Sequence, residues 1–392
     1  MNRQAFGKPP RWWSPMLHPR WVRAWAPLRR WQQRRIDRLL DIEVRGVHHV
    51  QRSIDAGHGV LITPNHPSHA DCFALYAASD AVRCPFYVMV AWQVLARGPW
   101  IRRLALRQHG CFSVDREGTD KNAVRMAREI LESGRFPLVI FPEGEVYHVN
   151  DRITPFRDGP AAIALMAAKK GQRPVVCVPC GMKYHYVRDP TPELSEVMDR
   201  LEKALFWRPR WDLSLKDRIY HLAEGMIALK EVEFLGHTRQ GRLPDRVRHL
   251  ARFVLDHIEQ RYGLDAGHAS IPERVKRARQ DAIRKLEQLP QADVSRTQYD
   301  HDLEDLFLVV QAFSYPGDYV DEDPSIERMA ETVDKLEEDV LGAATATILG
   351  ARTAVVSFGE PLRISTERTS ENSASQLTKT LEQRVQQLID KG

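Results

Sequence analysis

Between residues 59 and 186, short apolar runs alternate with stretches of helical periodicity. The runs are Val60-Leu61-Ile62, Phe86-Tyr87-Val88-Met89-Val90, Phe112-Ser113-Val114, Pro137-Leu138-Val139-Ile140-Phe141 and Val175-Val176-Cys177-Val178. Runs of this length, rich in β-branched and aromatic residues and punctuated by Gly and Pro, predict strands. Residues 120–134 and 159–170 predict helices between them, the first opening at Asp120 and closing near Gly134. Strands alternating with helices imply an α/β layered sheet flanked by helices. After about residue 190 the pattern changes to long amphipathic helices. Leu215, Ile219, Leu222, Met226 and Leu229 form one stripe, and Val247, Leu250, Val254 and Ile258 form another that stops at Gly263. A third carries Ile326, Met329, Val333, Leu336 and Val340 behind Pro324. Such stripes are the ordinary signature of helix packing, so this region reads as mainly helical. A strand then returns at Ala354-Val355-Val356-Ser357-Phe358, is stopped by Gly359-Glu360-Pro361, and is followed by a last helix over about 374–390.

This order divides the chain into a basic segment at 1–53, an α/β domain at 54–190, a helical insertion at 191–348 and a returning strand and helix at 349–392. A length of 392 residues suits two structural units. Val355 and Val356 need a partner for their backbone groups, and the sheet of the α/β domain is the only ladder the sequence offers them. The returning strand is therefore expected to rejoin that sheet.

The charge distribution says more than the net charge. Residues 1–35 hold eight arginines, one lysine and no acidic residue, and five of the nine tryptophans (Trp12, Trp13, Trp21, Trp25 and Trp31) lie there too. Basic side chains with indole rings suit an anionic membrane surface, where rings favour the boundary between water and acyl chains. A helix is expected from 28 to about 42, with Leu28, Trp31, Ile36, Leu39 and Leu40 on its apolar face, turned either to the protein or to lipid. No run of 18 apolar residues occurs and no secretory signal is evident, so the expectation is a cytoplasmic protein, peripheral to the inner face of the membrane. Nothing points to nucleic acid. The five cysteines, Cys72 to Cys180, read as intracellular thiols, and the Cys177/Cys180 pair as buried strand residues without chemistry.

Candidate chemistry begins at Asn65-His66-Pro67-Ser68-His69-Ala70-Asp71, which follows the first predicted strand. Transfer of an acyl group to an alcohol needs a base for the hydroxyl proton, and imidazole is suited to that at neutral pH. His66 is the candidate base. Asp71, about one helical turn further on, is placed to orient the ring. Two more strands end in polar groups: Gly110-Cys111-Phe112-Ser113-Val114-Asp115-Arg116, whose arginine can grip an anionic head group, and Phe141-Pro142-Glu143-Gly144, whose glycine allows close approach of backbone to a ligand. Val176-Cys177-Val178-Pro179 completes the series.

These four motifs, in this order over about 58–187, resemble those of the glycerophospholipid acyltransferase family. The resemblance implies an α/β layered fold with the motifs gathered at one end of the sheet. It also implies His66 and Asp71 as catalytic residues, and Asn65, Arg116, Phe141, Pro142, Glu143 and Gly144 as substrate-binding residues. The region of Pro179 would serve donor binding or packing. The acyl donor would be acyl-CoA or acyl carrier protein, and the acceptor a lysophospholipid or glycerol phosphate, with no cofactor and no metal. The family also tends to close with a strand ending in Gly-x-Pro, matched here by Gly359-Glu360-Pro361.

One departure stands out. The family usually follows its glutamate and glycine with Thr-Arg-Ser, whereas this chain has Glu145-Val146-Tyr147, which puts acceptor identity in question; Arg152 or Arg157 are candidates to compensate. Other readings of the same residues are a serine hydrolase built on Ser68, a metal site of His66, His69 and Asp71, and a catalytically silent membrane-binding protein on the same fold. Ser68 has no G-x-S-x-G elbow around it.

Overall fold

The computed structural model describes residues 7–392 except 119, 172, 266, 268, 291–292, 316, 322–323 and 365–372. The first six residues of the basic segment thus lie outside the described residues. The strands are β1 (Leu39–Arg45), β2 (Gly59–Pro64), β3 (Tyr87–Ala91), β4 (Cys111–Val114), β5 (Leu138–Val139), β6 (Val175–Tyr186), β7 (Arg352–Phe358) and β8 (Leu362–Arg363). The helices up to β6 are α1 (Pro19–Ala24), α2 (Ala26–Arg35), α3 (Val47–Asp55), α4 (Asp71–Val82), α5 (Trp92–Ala96), α6 (Trp100–Gln108), α7 (Lys121–Ser133) and α8 (Gly159–Lys170). Then come α9 (Thr191–Ala204), α10 (Leu215–Leu235), α11 (Leu243–Tyr262), α12 (Ile271–Gln288), α13 (Arg296–Ser314) and α14 (Ile326–Leu341), with α15 (Ala374–Asp390) at the end.

The chain forms two compact units, one of Pro9–Arg188 with Gly350–Gly392 and the other built on Asp189–Leu349. In the first, the described strands form one sheet in the order β1-β7-β6-β2-β5-β3-β4, with β8 on β6. The central neighbours β6, β2, β5, β3 and β4 run parallel, and β2 is buried at every position from Gly59 to Pro64 because helices cover both faces. On one face Leu61, Leu138 and Cys177 pack with Ala127, Leu131 and Ala164 and with Leu381, Val385 and Ile389 of α15. On the other, Val60, Ile62 and Val178 pack with Val50, Ala74, Leu75 and Ala78. Asp120 caps α7 by accepting hydrogen bonds from the Asn122 and Ala123 amides, and Gly134 closes the helix.

The returning strand β7 joins this sheet. It pairs antiparallel with the second half of β6, from Tyr186 opposite Arg352 to Cys180 opposite Phe358, and parallel with β1 on its other side. The Gly359 amide donates to the Pro179 carbonyl at 2.8 Å, so the end of β7 closes on the fourth motif. The other unit is helical. Leu250, Val254 and Ile258 of α11 pack with Val275 and Ala278 of α12 and with Leu306 and Val309 of α13. The stripe on α10 holds only in part: Ile219 and Leu222 are buried, but Leu229 is 63% exposed, and Ile227 takes the inward position further along.

The amino-terminal segment differs from its expectation in two ways. The helix expected over 28 to about 42 ends at Arg35, Arg38 adopts a positive φ of 49°, and Leu39 and Leu40 begin β1. The open edge of β7 overrides the helical spacing, because Leu39 buries its side chain completely there. Trp12 and Trp13, read as lipid-facing, belong to the sheet instead. The Trp13 amide donates to the Ser113 hydroxyl, the Trp12 indole to the Ser113 carbonyl, and the Trp13 ring is buried against Leu95 and Cys111. Further along, α2 turns Arg29 inward, where its guanidinium lies 4.5 Å from the Tyr76 ring and reaches Asp80, while Leu28, Trp31 and Ile36 are exposed. Among the described residues, no helix is long and apolar enough to cross a membrane.

Candidate active site

The site begins where β2 ends. Asn65 follows Pro64, and both ends of its buried amide engage the backbone of one residue: Nδ2 donates to the Met182 carbonyl at 2.9 Å, and the Met182 amide donates to Oδ1 at 2.7 Å. Asn150 treats Tyr184 in the same way, at 2.7 and 2.8 Å. These two side chains supply the hydrogen bonds that β2, which stops at Pro64, can no longer give to the far half of β6. Asn65 is thus a positioning residue.

His66 and Asp71 meet as expected. Nδ1 of His66 lies 2.7 Å from Oδ2 of Asp71, and the Ser68 amide donates to the same oxygen at 3.3 Å. Asp71 is 1% exposed and opens α4, so its carboxylate also faces the positive end of a helix dipole. Its other oxygen accepts from the Tyr184 hydroxyl at 2.6 Å. A carboxylate held this way fixes the imidazole with its proton on Nδ1, leaving the Nε2 lone pair able to accept a proton. The ring stacks on Phe141, with centroids 4.0 Å apart and planes at 24°, and the His66 side chain stays 22% exposed. It is thus held from two sides and open to a ligand.

Glu143 is buried next to His66. It accepts from the His66 amide and lies against Thr154. Burial pushes its carboxyl up to about 8, and the nearby charge of Asp71 pushes the same way against the Thr154 and His66 contacts. It is therefore largely protonated at neutral pH, and it too is a positioning residue. Gly144 has a positive φ of 81°, a conformation that favours glycine, and a Cβ there would lie 2.7 Å from the Arg157 guanidinium and push that side chain aside. Pro142 is buried, and its carbonyl accepts from the Arg157 amide at 2.9 Å.

Arg116 reaches this loop from the end of β4. Its Nη1 donates to the Gly144 carbonyl at 2.7 Å and lies 2.7 Å from Oε2 of Glu145. Burial would raise the Glu145 carboxyl, but Arg116 and Arg157 outweigh it and hold the group below the ordinary value. Tyr147 is buried next to Arg157, its hydroxyl pushed up to about 12 by desolvation and by Glu145, and its amide donates to the His66 carbonyl at 3.4 Å. Pro179 is buried in the sheet beside Thr63.

The Ser68 hydroxyl accepts from the Ala70 amide at 3.2 Å and so shapes the turn into α4. His69 packs edge-on against His148, and His66, His69 and Asp71 do not gather as a metal-ligand cluster among the described residues. Sequence reasoning missed Tyr184 and Asn150. Tyr184 lies 113 residues from Asp71 in the chain, and only the pairing of β6 with β2 brings them together.

Residues 41–183 match the model of a protein family described as Acyltransferase. The match contains His66, Asp71, Arg116 and the loop from Phe141 to Tyr147. No curated protein matches the chain.

Proposed function

We propose, from the premise that residues 41–183 are an acyltransferase-family domain of the glycerophospholipid type, that the protein moves a fatty acyl group from acyl-CoA or acyl carrier protein to a hydroxyl of a lysophospholipid or glycerol-phosphate acceptor. The observation that carries the mechanism is the 2.7 Å contact between His66 Nδ1 and an Asp71 carboxylate held by Tyr184 and Ser68. Nε2 of His66 removes the acceptor's hydroxyl proton as its oxygen attacks the thioester carbonyl. The tetrahedral intermediate then expels the thiolate with cleavage of the carbon–sulfur bond. The thiolate takes the proton from His66, so the base is restored and the new ester leaves. Asp71 stabilises the transient imidazolium without taking its proton. No acyl-enzyme and no cofactor is needed.

Phe141 keeps the ring in one plane, and the strand ends carrying Arg116 and Gly144 border the space an acceptor would enter. The serine-hydrolase reading finds no support in Ser68, whose hydroxyl serves the Ala70 amide. The reading is tested by incubating purified protein with a labelled acyl thioester and an acceptor panel. A new ester should form, and turnover should drop by about a hundredfold or more in His66→Ala.

A lipid acceptor brings the enzyme to a membrane surface. Exposed Leu28, Trp31 and Ile36, flanked by Arg30, Arg34 and Arg35, suit contact with anionic lipid: the apolar side chains enter the interface and the arginines meet head groups.

A further inference from the structure

We infer that Glu145 occupies the anion-binding position of this site, and that the acceptor is consequently a lysolipid with an uncharged or zwitterionic head and not a phosphate monoester. The inference rests on the proposed acyl transfer and narrows its acceptor. Arg116 is the cation on the strand end beside the base, and one of its nitrogens already serves both the Glu145 carboxylate and the Gly144 carbonyl, each at 2.7 Å. The second cation here, Arg157, lies across Gly144 and is shared electrostatically between Glu145 and Tyr147. A phosphate monoester entering beside His66 would have to displace a carboxylate of the protein's own loop, or else sit next to it.

Both routes are unfavourable. Displacement strands a half-buried carboxylate without its guanidinium partner, and coexistence sets a doubly charged phosphate against a negative carboxylate in a partly desolvated site. Glu145 is also close enough to His66 for the imidazolium's charge to stabilise it. A neutral head meets no such penalty, and the ammonium of a zwitterionic one is attracted to the carboxylate. The device discriminates by like charge.

The test compares kcat/KM for glycerol 3-phosphate and 1-acylglycerol 3-phosphate with that for lysophosphatidylethanolamine, lysophosphatidylcholine and monoacylglycerol, in the full-length protein and in Glu145→Gln. The expected ratio of phosphate monoester to the best neutral or zwitterionic acceptor is below about 0.1 in the natural chain and rises at least about tenfold in the variant. Equilibrium binding of glycerol 3-phosphate is measured in parallel, and Glu145→Gln should tighten it at least about tenfold. A natural chain that prefers phosphate monoesters, or a variant whose ratio and binding are both unchanged, overturns the inference. Should Glu145→Gln not fold, the acceptor preference of the natural chain decides alone. The two proposals fail separately. Loss of acyl transfer to every acceptor strikes the enzymatic reading, whereas the glycerol 3-phosphate titration bears on Glu145 whether or not turnover is seen.

Discussion

Two buried carboxyls lie close to one imidazole, and their surroundings give them opposite tasks. Asp71 accepts from Tyr184, Ser68 and His66, whereas Glu143 is desolvated and feels the charge of Asp71. The raised Glu143 pKa makes a stability prediction. Between its ordinary value of 4.5 and about 8 the folded chain holds a proton that the unfolded chain has released, so its contribution to stability falls as pH rises through that window and is level above it. Glu143→Gln keeps the shape and removes the titration, so its melting temperature relative to the natural chain should climb steadily from pH 5 to pH 8. A difference that does not change with pH would mean that Glu143 is charged throughout. The meeting of His66 and Asp71 was anticipated from their spacing after β2, and the nearness of Arg116 to Gly144 from their places beyond β4 and β5. The clamps of Asn65 and Asn150 and the hydroxyl of Tyr184 were not, since each joins β6 to a residue 117, 34 or 113 positions away in the chain.

At the scale of elements, local pattern succeeded where an element is sealed by its own termini and failed where a neighbour decides. The α7 helix is bounded by Asp120 and Gly134, both visible in the sequence. Leu39 and Leu40 continue a helical stripe on paper, yet become strand because β7 offers a ladder from the far end of the chain. The same limit applies to Trp12 and Trp13, whose types suit lipid but whose backbone adds to the exposed edge of β4 through Ser113. Deleting the first 35 residues would therefore damage the sheet and is no clean test of membrane binding. Point substitutions on α2 are. Leu28→Gln combined with Trp31→Gln should weaken binding to anionic vesicles at least about tenfold, as loss of two interfacial apolar groups would, while the melting temperature stays within a degree or two. Undiminished vesicle binding would move the docking surface elsewhere.

At the scale of the molecule, the chain leaves its sheet after β6, builds a helical unit, and returns to complete the first one. The return was legible because the β-branched run at Val355 has no other ladder to join. Its consequence for the site was not. In α15, Gln386 accepts from the Ile153 amide and donates to the Asp151 carbonyl, and Glu382 accepts from the Phe156 amide, so the last helix holds the loop that follows Glu145 and Tyr147. A fragment ending at residue 350 loses β7, α15 and the described pairing of β1, and exposes the edge of β6. It should aggregate or remain unfolded, and a soluble, cooperatively melting and active fragment would show that the returning segment is dispensable. The most direct test of the whole account remains the transfer of a labelled acyl group from a thioester to a hydroxyl acceptor by the natural chain and by His66→Ala. The account predicts an ester product, no label retained on the protein, and turnover in the variant lower by about a hundredfold or more. Near-normal turnover without His66, or label trapped on Ser68, would contradict it.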